Sequence, residues 1–71
     1  MEHRADTVYR TIERHPGSSN QDLAAILGWS INRITPRVRE LLDAGAIQVS
    51  GYKKTIFGRT ARTYEIKEAE A

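Results

Sequence analysis

Seventy-one residues with a formal net charge of +2 and no cysteine describe one small domain, without disulfides and without a thiolate metal site. A chain of this length buries about 60% of its unfolded surface, which leaves little room for a deep catalytic cleft. It holds two histidines, His3 and His15, and no apolar run near the roughly 18 residues of a membrane span, so a soluble, cytoplasmic protein is expected, with no metal, no cofactor and no membrane partner.

Residues 1 to 3 are expected to fray. From Arg4 to His15 the apolar residues Ala5, Val8, Tyr9 and Ile12 recur in steps of three and four, which predicts an amphipathic helix. His15-Pro16-Gly17 ends it, because the residue before proline avoids helical geometry, and leaves His15 exposed at the helix end. Gly17-Ser18 reads as a short link, extended in form.

Ser19 then opens a second helix. Its hydroxyl is placed to cap the amides ahead, and Asp22 stands where the acid of a capping box reaches back, although glutamate or glutamine is commoner there. Leu23, Ala24, Ile26 and Leu27 form a short apolar face, and Gly28 supplies the left-handed stop. Trp29 and Ser30 fill the turn, with Ser30 or Asn32 as the next cap. The third helix is apolar at Ile31, Ile34, Val38, Leu41 and Leu42, and its other side carries Asn32, Arg33, Pro36, Arg39, Glu40 and Asp43, with Arg37 on the flank. Pro36 leaves two readings. Either the helix begins near Asn32, so that the proline ends its first turn, or Thr35 caps a helix that starts at Pro36. One helix bent near Pro36 is preferred. Gly45 ends it.

The periodicity then changes. Ala46 to Ser50 alternates apolar and polar, and Ala61 to Ile66 is its expected partner, with Tyr64 and Ile66 on one face. Gly51 suits a bulge and Gly58 a tight tip, which predicts a β-hairpin with a basic, partly aromatic end. Trp29 and Tyr64 are expected in or beside the core; Tyr52 and Phe57 suit either hairpin closure or a sugar-phosphate backbone. The domain is expected to span residues 1–66, followed by a loose acidic tail, 67–71. The fold class is α+β: three helices followed by a hairpin, the winged helix-turn-helix.

Charge is unevenly placed. From Ser30 to Arg62 there are seven basic residues and two acidic ones, against four and seven in the remainder. A basic block on the third helix and the hairpin suggests a surface for a polyanion. An enzyme is not expected: Asp22, Glu40 and Asp43 are most simply caps and solvated partners, and nothing pairs a nucleophile with a base.

The stretch LAAILGWSINRITPRVRELLDAGAI resembles the helix-turn-helix core of MarR-type and related winged-helix regulators. It shares their L-A-x-x-L-G helix, and their second helix ending E-L-x-x-x-G-x-I, with seventeen residues from Gly28 to Gly45. The finer pattern, G-W-x-I-N-x-I-T-P-R-V-x-E-L with later S-G and G-R-T-A-R, is similar to small winged-helix proteins of phage and prophage. The resemblance covers about Arg4 to Ile66. It implies binding of double-stranded DNA by a transcriptional regulator, with the third helix in the major groove and the wing on the backbone or minor groove. Asn32, Arg33, Thr35 and Arg37 are then the expected base contacts, and Ser30, Arg39, Lys53, Lys54, Arg59 and Arg62 the backbone contacts. The long flanking helices of MarR dimers are lacking, so no small-molecule ligand is expected; a homodimer would need half-sites about 34 Å apart. The competing reading is a winged helix used for protein–protein contact, as a phage-encoded inhibitor or a replication accessory.

Overall fold

The computed structural model describes residues 3–55 and 57–67; of the three residues expected to fray, 1 and 2 lie outside them, as do the tail residues 68–71, whereas His3 is the first residue of the first helix. Helices α1 (His3–Arg14), α2 (Asn20–Leu27) and α3 (Ile31–Asp43) precede strands β1 (Ile47–Lys54) and β2 (Thr60–Ile66), which pair antiparallel. This is the α+β winged helix anticipated from the sequence. No helix among the described residues is long and apolar enough to cross a membrane.

Helix α1 places Val8 and Ile12 fully in the core, and Thr11 beside them is buried because its hydroxyl donates to the Thr7 carbonyl at 2.8 Å. The α2 cap is complete. Ser19 Oγ accepts from the Asp22 amide at 3.3 Å, and Asp22 Oδ2 accepts from the Ser19 amide at 3.0 Å. Aspartate is therefore long enough to close the box. Because Ser19 is buried, Ser19→Ala strands the Asp22 amide. We expect a loss of about 0.5–2 kcal/mol, measured by urea denaturation.

At the other end of α2, the amides of Gly28 and Trp29 both donate to the Ala24 carbonyl, with Gly28 left-handed at φ 69°. Helix α3 follows from Ser30, whose carbonyl receives the Arg33 and Ile34 amides while its hydroxyl makes no capping bond. The single-helix reading holds, but Pro36 is the sixth residue of α3, beyond the first turn. Its ring nitrogen cannot donate to the Asn32 carbonyl, and both residues lie on the exposed face, where solvent can take the vacant acceptor. Helix α3 ends in a Schellman motif. The Gly45 amide donates to the Leu42 carbonyl and the Ala46 amide to the Leu41 carbonyl, with Gly45 at φ 74°.

The core unites Val8 and Ile12 of α1, Leu23 of α2, Ile34, Val38 and Leu41 of α3, Ile47 of β1 and Tyr64 of β2. Of the other residues in the expected apolar stripes, Ala5, Tyr9, Ala24, Leu27 and Leu42 pack against it partly buried, but two are exposed. Ile26 is 46% exposed and Ile31 is 42% exposed. Helix α2 is only eight residues long and turns Leu23 alone fully inward, and Ile31 is the first residue of α3, ahead of the turn that packs.

The hairpin is longer than the alternating segment suggests, because pairing continues through Tyr52↔Arg62 to Lys54↔Thr60. The register shifts between Val49 and Gly51, an extra residue at Ser50, whose hydroxyl bonds that of Thr63 at 2.8 Å. At the tip the Thr55 amide donates to the Arg59 carbonyl and Gly58 takes φ 77°. A third extended segment joins the sheet at Ser18. The Tyr64 amide donates to the Ser18 carbonyl at 3.0 Å, and the Gly17 amide to the Tyr64 carbonyl at 2.9 Å. The sheet thus ends where α2 begins. Lys67, assigned to the loose tail, has its amide bonded to the Ala46 carbonyl.

Candidate nucleic-acid interface

Helical spacing divides the outward side of α3 into two faces. Asn32, Thr35 and Arg39, at i, i+3 and i+7, lie toward the hairpin. A cleft of about 290 Å³ lies between α3 and the wing, walled by Thr35, Arg39 and the acidic Asp43 of α3, Arg62 and Tyr64 of β2, and Asn20 of α2. Arg39 and Arg62 are both exposed and have no ion-pair partner among the described residues; in particular Arg39 does not pair with Asp43. Thr35 Oγ1 donates to the Ile31 carbonyl at 3.0 Å and leaves its methyl and lone pairs outward. A larger cleft of about 590 Å³ continues from Arg62 and Asn20 toward the hairpin end, where Arg59 and Phe57 line it. Asn20 Oδ1, common to both clefts, is buried and has no hydrogen-bond partner among the described residues. Tyr52 and Phe57, 68% and 72% exposed, do not close the hairpin core.

The second face carries Arg33, Arg37 and Glu40, at i, i+4 and i+7. The two arginines have different surroundings. The Arg33 guanidinium stacks 4.3 Å above the Trp29 ring. Stacking engages the flat face of the group and leaves its N–H edges free to donate in the plane. Arg37 instead forms an ion pair with Glu40, in which Nη2 donates to Oε2 at 3.1 Å and Nε lies 2.9 Å from Oε1 without the geometry of a hydrogen bond, and its side chain is only 18% exposed. Of the two, Arg33 is the one held in a fixed pose with donors to spare.

On the wing, Lys54 and Arg59 are exposed and unpaired among the described residues, whereas Lys53 forms an ion pair with Asp22 at the start of α2. Burial pushes the Asp22 carboxyl up, but the bonds and charge from Lys53 and the Ser19 amide outweigh it and hold the group below the usual aspartate value. The Asp22–Lys53 pair and the Trp29–Arg33 stack were not anticipated. The first joins residues 31 apart in the chain. The second had a faint signal, the four-residue step from Trp29 to Arg33, which Trp29 obscures by lying ahead of the helix.

Neither the curated proteins nor the solved structures contain a significant match to this chain. The family model described as winged helix-turn-helix DNA-binding matches residues 7–48, from α1 through the whole of α3 to the start of β1. The matched stretch is more than half of the chain and contains both helices of the turn with their caps, while the wing that completes the fold is seen in the paired strands beyond it. The chain belongs to the winged helix-turn-helix DNA-binding family.

Proposed function

We propose that this chain is a sequence-specific double-stranded DNA-binding regulator of transcription in the cytoplasm, with α3 in the major groove and the wing on the sugar-phosphate backbone. The observation that carries the reading is the cleft in which the unpaired Arg39 and Arg62 face one another, one from the helix and one from the hairpin. Two unpaired guanidinium groups in one cleft, against the single carboxylate of Asp43, suit a phosphate strand running between helix and wing.

Arg33 is the principal base reader, through two parallel hydrogen bonds to a guanine edge, with Asn32 beside it for adenine and Thr35 for a thymine methyl. Arg37 serves the same surface from its pair with Glu40. Ser30, Arg39, Lys54, Arg59 and Arg62 contact phosphates, and the free amides at the start of α3 add to them. Selection of bound duplexes from a random pool identifies the preferred site. On that site Arg33→Ala costs about 1–3 kcal/mol and relaxes one base position, while binding to random duplex changes far less. An equal loss on every sequence removes Arg33 from base readout.

A further inference from the structure

Beyond the Ser18–Tyr64 backbone bonds, one ion pair among the described residues joins the wing to the helix-turn-helix. Lys53 pairs with Ala61 across the hairpin, and β2 lies between β1 and the Ser18 segment that leads into α2. The lysine therefore reaches across β2, over a small residue, to Asp22 in the first turn of α2. The same oxygen, Asp22 Oδ2, accepts the Ser19 amide that closes the α2 cap. No other ion pair joins the hairpin residues between Gly51 and Arg62 to a helix among the described residues.

We infer that Asp22 is a positioning residue for DNA binding, which holds Lys53 back from the phosphates and so fixes the direction in which the wing carries Lys54, Arg59 and Arg62. The inference rests on the wing-to-backbone reading proposed above. A half-exposed pair holds too weakly to matter much for stability, but it is enough to bias the angle of a hairpin whose residues in the core or packed against it, among those described, are Ile47, Tyr64 and Ile66, all at its base. A lysine already facing a carboxylate releases no counterion when DNA arrives. Lys53 is thus silent in the salt dependence although it stands on the most basic part of the chain.

The test is a set of salt titrations with random and preferred duplex. Lys53→Gln removes no phosphate contact and leaves the slope of log affinity against log salt unchanged, while the loss of the pair lowers the ratio of preferred to random affinity; Lys54→Gln and Arg59→Gln each make the slope shallower by about 0.9. Asp22→Asn keeps an oxygen for the Ser19 amide but frees the lysine. It binds random duplex more tightly, steepens the slope by about 0.9, and lowers the ratio of preferred to random affinity. Thermal melting of both variants checks that the cap survives, and Lys53→Gln carries no capping risk. A slope that falls by about 0.9 in Lys53→Gln overturns the inference, because it makes Lys53 an ordinary phosphate contact. If Lys54→Gln and Arg59→Gln also leave the slope untouched, the wing does not lie on the backbone, and it is the parent reading that fails.

Discussion

Raising the salt from about 50 to about 200 mM lowers affinity for a random DNA duplex by about two orders of magnitude. The figure follows from the placement of charge. Arg39, Lys54, Arg59 and Arg62 are exposed and unpaired among the described residues, on the walls of the two clefts or on the hairpin beside them. At about 0.9 counterion per neutralised phosphate, four contacts give a slope near −3.6, which over a fourfold change in salt is a factor of about 150. Lys53 is left out because it faces Asp22. The net charge of +2 alone would give no such steepness, since it averages the basic face with the acids of the remaining surface. Fluorescence anisotropy with a labelled duplex measures the slope. A flat titration means that the chain does not engage a phosphate strand, and the proposed function is then abandoned.

Truncating Ile34 to alanine brings the domain close to unfolding. Ile34 is fully buried at the centre of α3, among Val8, Ile12 and Leu23 of the other two helices in one cluster. Removing a branched side chain at such a site costs about 2–5 kcal/mol in lost burial and residual cavity. A domain of this size has about 4–10 kcal/mol in total, so at the middle of both ranges one substitution removes about half. Urea denaturation should show the midpoint falling with little change in slope, and DNA affinity should decline only by the unfolded fraction. Ile31→Ala, three residues earlier in the same apolar stripe, should cost far less because that side chain is 42% exposed. Comparable losses at the two positions mean that α3 packs differently.

The contrast between Ile31 and Ile34 marks how far the sequence is legible. Local signals work where the physics is local. The Ser19 cap, the Gly28 and Gly45 stops, and the change from a period of three and four to a period of two each depend on residues a few places apart, and each fixes an element end. Periodicity also identifies the buried face of α1 and most of that of α3. It overreaches at Ile26 and Ile31, because it assumes an ideal helix packed along its whole length. The candidate base and backbone residues are legible as a set, since basic residues cluster on α3 and the hairpin. Their individual states are not. Arg33 and Arg37 look alike in the sequence, yet one stacks on Trp29 and the other grips Glu40. Lys53 and Lys54 are neighbours, yet only Lys53 meets Asp22, because adjacent residues on a strand project to opposite sides. The Lys53 contact joins distant segments and has no short-range mark, whereas the two arginines differ through partners only four and three residues away, and spacing alone does not tell a stack on Trp29 from a pair with Glu40.

The Ser18–Tyr64 pairing bears on what the wing is for. Tyr64 reaches the interior from β2, and the backbone around it is tied to the residue that launches α2. A fragment cut after α3 would retain most of the family-matched stretch but lose Ile47 and Tyr64 from its interior, and with them the edge that orients the second helix. The hairpin is therefore a structural wall of the domain before it is an arm for grasping a ligand, and its two strands are constrained by folding even where they never meet nucleic acid. Freedom to diversify is confined to the hairpin residues between Gly51 and Arg62, none of which, among the described residues, belongs to the buried core or packs against it.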